Sequence, residues 1–151
     1  MGNISSINKV NYAYVQKCII NANDTILLIN TLDYDKQECL IKNTINASNE
    51  EELINKYLKR NKSIKILIYG ENCSDNKVIS KYNQLYKLGF VNLYVYLGGI
   101  FEWLLLQDIY GDDEFPTSSK IIDLLLFKYL LISSSSLDAL IVFLIKHSCL
   151  S

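Results

Sequence analysis

A chain of 151 residues, half of them apolar, is long enough for one hydrophobic core and too short for two. Fourteen lysines and the single Arg60 face sixteen carboxylates, and a formal charge of −1 gives no field to gather nucleic acid or acidic ligands, which argues against a nucleic-acid partner. The four scattered cysteines (Cys18, Cys39, Cys73, Cys149) form no C-x-x-C pair and His147 is the only histidine, so neither a zinc site, another metal, a cofactor nor a disulfide framework is indicated.

The chain opens on MGNISS. With Met1 removed, Gly2 and Ser6 fit the M-G-x-x-x-[ST] pattern of N-myristoylation, with Lys9 close behind; six polar leader residues matching by chance is the competing reading. Residues 1–7 are therefore read as a leader with Gly2 as the candidate lipidation site. No apolar core of a secretory signal follows, and a reducing, cytoplasmic setting is expected. One acyl chain binds membrane only marginally, so any peripheral membrane contact would need a second anchor.

Residues 8–21 are expected to form a short helix with Val10, Tyr14 and Cys18 on one face. DTILLIN (24–30) is a continuous apolar run of strand length, suited to burial on both faces. Residues 31–47 read mostly as loop. In ASNEEELINKYLKRN (47–61), Ser48 and Glu51 have capping-box spacing, and Leu53, Ile54, Tyr57 and Leu58 make one apolar face, which predicts a helix.

SIKILIYG (63–70) is the next predicted strand and passes through a short polar loop to a helix. Val78, Ile79, Tyr82, Leu85 and Tyr86 repeat with helical spacing, and Gly89 is placed to end that helix in a left-handed turn. FVNLYVYL (90–97) is a third strand, and Gly98-Gly99 lead into a helix over IFEWLLLQDIYG (100–111). Strands alternating with helices across short connections predict an α/β fold, a largely parallel sheet with helices on both faces. The acidic turn of Asp108, Asp112, Asp113 and Glu114 lacks the ligand series of a calcium loop and is read as solvated.

From Pro116 onward the chain is strongly apolar but interrupted by Asp123, Lys128, four serines and Asp138. A membrane span would bury those charges at about 2.5–3.5 kcal/mol each, so two short helices are expected instead. They would finish the core or offer an apolar surface to a partner or lipid face. The domain is set at 8–117 and the apolar helical extension at 118–151.

Residues 64–103 resemble the C-terminal half of a rhodanese-like domain, most specifically LGFVNLYVYLGGIFEW, with Gly89, Phe90, Gly98, Gly99 and Trp103 in the family's pattern. The first half agrees less. Asn30-Thr31 stands where the family has Asp-Arg after the strand, and the Gly-His-Ile-x-x-Ala motif is reduced to something near Cys39-Leu40-Ile41 and NTINA. The resemblance runs over about residues 8–115.

It implies a catalytic cysteine as first residue of the loop after the strand, carrying a persulfide in a curl of backbone N–H groups at a helix N-terminus. Here that position is Gly70, and the loop equivalents are Gly70, Glu71, Asn72, Cys73, Ser74 and Asp75. Cys73 is the alternative nucleophile; Lys77 and a helix start would favour its thiolate, while Glu71 and Asp75 would repel it. The family's phosphatase branch places an arginine after Cys-x5, but five positions beyond Cys73 comes Ile79, and the only arginine is Arg60. The expectation is a catalytically degenerate, non-catalytic binding or docking module with an unidentified protein partner. The alternative is a sulfurtransferase using Cys73. A third reading is a membrane-peripheral adaptor held by Gly2 and the C-terminal segment.

Overall fold

The computed structural model describes residues 6–21 and 25–120, so Gly2 and the extension beyond Lys120 lie outside the described residues. Five parallel strands, β1 (Lys9–Val10), β2 (Ile26–Asn30), β3 (Thr44–Ile45), β4 (Lys65–Tyr69) and β5 (Leu93–Tyr96), lie in the order β1-β5-β4-β2-β3. The three long apolar runs form its centre, with Leu28 opposite Leu67 and Ile68 opposite Val95.

Because successive strand residues point to opposite faces, each run feeds two cores. Leu28, Leu67, Tyr69 and Tyr96 face α1 (Tyr12–Ile20) and α4 (Gly99–Tyr110), meeting Val15, Cys18, Ile100, Trp103 and Leu104. Leu27, Ile29, Ile66, Ile68, Leu93 and Val95 face α2 (Ala47–Arg60) and α3 (Lys77–Lys87), meeting Ile54, Val78, Tyr82 and Leu85. A buried apolar side chain contributes about 1.5–3 kcal/mol and an exposed ion pair about 0–1, so these two clusters hold the fold.

Four expectations need correction. The N-terminal segment is not one helix from residue 8: Lys9–Val10 pair with Val95–Tyr96, and α1 starts at Tyr12, where the Asn11 side chain accepts from the Tyr14 N–H. Val10 is thus a strand residue. Within 31–47, Tyr34–Lys36 form a 3₁₀ turn, and Thr44–Ile45 pair with Leu28–Ile29. α2 is capped by Asn46 rather than Ser48; the Asn46 Oδ1 accepts from both the Ser48 N–H and its hydroxyl. Tyr86 is 50% exposed, since α3 turns only Val78, Tyr82 and Leu85 fully into the core.

Gly89, at φ +101, ends α3 as expected, and Trp103 is fully buried. The Trp103 Nε1–H donates to the Pro116 carbonyl at 3.2 Å, and Phe115 packs edge-on to its ring at 5.0 Å between centroids. Ser118 then bonds through its N–H to Leu40, tying the segment after α4 beside Ile41. Among the described residues no helix is long and apolar enough to cross a membrane.

Candidate functional site

β4 ends in the middle of the sheet, and the loop of residues 70–76 stands in the crevice beyond the carboxyl ends of the strands, where open α/β sheets place their sites. It is gripped from the neighbouring strand's helix. A helix N-terminus has N–H groups with no partner of its own, and in α4 the Ile100 and Phe101 N–H groups donate to Gly70 O and Glu71 O, both at 2.9 Å. This needs backbone against backbone. Gly99 has φ +66, and a Cβ there would lie 2.5 Å from Gly70 O and 2.8 Å from the Glu71 carbonyl carbon.

Inside the loop the space is taken by Asp75. Its Oδ2 accepts from the Thr31 hydroxyl at 3.0 Å and the Glu71 N–H at 3.2 Å, and its Oδ1 accepts from the Lys77 N–H, the first of α3, at 3.0 Å. A Cβ added at Gly70 would run into that carboxylate and lie 2.6 Å from Val78 Cγ2. Gly70 therefore does more than provide a tight turn: no side chain fits there while Asp75 stays inward.

The outer part of the loop is a local turn. Asn72 Oδ1 accepts from the Ser74 N–H at 3.1 Å and the Ser74 hydroxyl at 2.7 Å, leaving Cys73 exposed at the tip. Burial pushes the thiols of Cys18 and Cys39 up, away from reactivity, so Cys73 is the one exposed thiol among the described residues. Two ion pairs tie the loop to the 3₁₀ turn: Lys36 to Glu71 at 2.8 Å and Lys77 to Asp33 at 2.7 Å. The Asp33 carboxylate, hydrogen-bonded to Lys77, holds that ammonium above the usual lysine range, and Asp75 and Glu71 add to the effect.

One buried and one half-buried polar residue flank the loop. Asn30, at the end of β2, accepts from the Leu32 N–H at 3.1 Å and Gln37 Nε2 at 2.7 Å and donates to Ile45 O at 3.3 Å, so it knots β2, β3 and the following turn together. Glu102, in the first turn of α4, folds back over Gly98, where a Cβ would collide with its carboxylate. Burial pushes the Glu102 carboxyl up, and the Tyr96 hydroxyl offsets part of that. Beside the loop an open cleft of about 620 Å³ runs between α2 and α3, with Thr31, Glu50, Lys77 and Lys81 in its walls.

Gly70, Glu71, Asn72, Cys73, Ser74 and Asp75 thus form one continuous loop, with Cys73 at its surface and Asp75 at its centre. Thr31, Lys36, Asp33 and Glu102 are the parts of the site that sequence reasoning did not assign. The sequence signal for Thr31 was its place beside Asn30, where the family has Asp-Arg after the strand. In the structure Asn30 stands opposite Tyr69, and the Thr31 N–H donates to the Tyr69 carbonyl at 3.0 Å.

A family model described as the rhodanese-like domain matches residues 12–106. The chain belongs to that family. Solved structures of the same fold include the BH2092 protein from Bacillus halodurans, with 19% identity over 69% of this chain and 74% of that one and a TM-score of 0.55. The Alr3790 protein from Anabaena sp. shares 21% identity over 76% of this chain and 94% of that one, with a TM-score of 0.53. Ygr203w, a yeast protein tyrosine phosphatase of the rhodanese family, shares 17% over 83% of this chain and 100% of that one, with a TM-score of 0.56. At such identities the likeness is one of fold. No curated protein matches this rhodanese-like domain.

Proposed function

We propose that this rhodanese-like domain is a non-catalytic binding or docking module for a protein partner. The observation that carries the reading is at Gly70: the first residue of the loop has no side chain, and the space a thiol would need holds the Asp75 carboxylate and Val78. Without a side chain at Gly70, the loop has no nucleophile at its first position, where the family carries the transferred sulfur. What it does offer is a rim of fixed charges, Lys36 with Glu71 and Lys77 with Asp33, next to an open cleft.

A sulfurtransferase reading survives on one observation, the exposure of Cys73 at the tip of the same loop. In that case the Cys73 thiolate would attack the outer sulfur of thiosulfate, sulfite would leave, and cyanide would then take the sulfur as thiocyanate and restore the thiolate. The test is intact-mass analysis of purified protein after thiosulfate, with thiocyanate release measured beside a Cys73→Ser control. The docking reading expects no adduct and no turnover from folded protein. An added sulfur atom that passes to cyanide and disappears in Cys73→Ser would make the chain an enzyme.

A further inference from the structure

We propose that Asp75 is an internal plug: its carboxylate fills the anion-binding space of the loop and shuts external anions out. The inference rests on the docking reading only in taking the loop as non-catalytic, and it predicts exclusion of anions on a ground separate from the missing cysteine.

Three donors converge on this carboxylate from three parts of the chain. The Thr31 hydroxyl comes from the end of β2, the Glu71 N–H from the start of the loop, and the Lys77 N–H from the first turn of α3, at 3.0, 3.2 and 3.0 Å. Thr31 is 44 residues away in sequence, so this is more than a local turn of Asp75 onto its own helix. Hydrogen bonds from such groups to an ionised oxygen are the strong kind. The Lys77 ammonium also feels Asp75, although its direct partner is Asp33. A small oxyanion would meet the same donors in the same place.

Attachment through a few residues of chain holds the carboxylate in its site at an effective concentration of about millimolar or more. A free anion must displace it, and the vacated carboxylate would stand beside the Glu71 carboxylate, which is held by Lys36. An adjacent carboxylate repels an incoming anion further. The plug also explains why Gly70 is required: Asp75 and a side chain at position 70 compete for one volume.

The test is an amide-resolved NMR titration of the full chain with inorganic phosphate and, separately, thiosulfate. Wild type is expected to show no saturable shift at the Glu71 and Lys77 amides, whereas Asp75→Ala shows saturable shifts at both. Asp75→Ser, which keeps a small acceptor for the Lys77 N–H, serves as a second variant and is expected to behave like Asp75→Ala. Equal titration of wild type and variants at these amides would overturn the proposal, as would folded variants that do not respond. Loss of folding in both variants would also overturn it, because a plug is dispensable to the sheet and helices. A sulfur adduct on wild-type Cys73 would sink the docking reading and leave the phosphate titration to decide the plug, so the two failures are distinguishable.

Discussion

Replacing Gly99 by alanine tests how the loop is held. Two costs add at this position. A non-glycine residue at φ +66 costs about 1–2 kcal/mol. The new Cβ, 2.5 Å from Gly70 O and 2.9 Å from the Asn72 nitrogen, must push backbone rather than a flexible side chain, and overpacking of that kind costs about 1–3 kcal/mol. The expected loss is therefore about 2–5 kcal/mol, a large part of the roughly 5–15 kcal/mol by which a domain is stable. For a chain of this size it corresponds to a fall in Tm of roughly 4–20 °C.

Gly89→Ala is the control. It carries a similar backbone penalty at φ +101, but its Cβ meets only the Lys62 side chain, with Nζ at 3.2 Å, which can swing away. Urea unfolding of both variants, with hydrogen exchange of the Ile100 and Phe101 amides, separates the terms. Gly99→Ala should lose about 1–3 kcal/mol more than Gly89→Ala and should speed exchange at those two amides. If the two variants cost the same and the amides stay protected, the close approach of α4 to the loop does not constrain it, and the reasoning fails.

Two further substitutions address the polar groups beside the loop. Because burial raises the Glu102 carboxyl, the folded chain keeps its proton to higher pH than the unfolded chain, so Glu102 lowers stability as pH rises from about 4.3 through its folded value and has a constant effect above it. Glu102→Gln should gain on wild type across that window in pH-dependent urea unfolding, and a difference that stays flat with pH would count against the buried carboxyl. Asn30→Ala strands the buried Leu32 N–H, while Gln37 Nε2 keeps the Leu32 carbonyl at 3.0 Å, and should cost about 1–3 kcal/mol in denaturant unfolding. A loss below about 1 kcal/mol would mean that the neighbours find other partners.

What could be read directly from sequence was whatever depends on a residue's own neighbours. Ile66–Tyr69 and Leu93–Tyr96 are apolar throughout because both faces of those strands are covered, and the spacing of Val78, Tyr82 and Leu85 marks the inner face of α3. β1 and β3 are two residues each and exist because β5 and β2 offer an edge, which no local pattern in Lys9–Val10 or Thr44–Ile45 encodes. Asn46 and Ser48 are both capable of capping α2, and the chain's entry from β3 favours the first. Asp75 shows the limit most plainly. Read along the sequence it is a flanking charge that repels a thiolate at Cys73, but a hydroxyl 44 residues away draws it inward, where it decides what Gly70 can be.

The two bonds from Ile100 and Phe101 to Gly70 and Glu71 also bear on the order in which the chain acquires its parts. They span thirty residues each. During synthesis, β4, the loop and α3 are all made before the amides that fix the loop's first two carbonyls exist. Until α4 has emerged and docked, Gly70 and Glu71 have no such partners, and the loop's shape is among the last features to be set. A chain ending before residue 100 would retain β4 and α3 in its sequence and lack the means to close the loop between them.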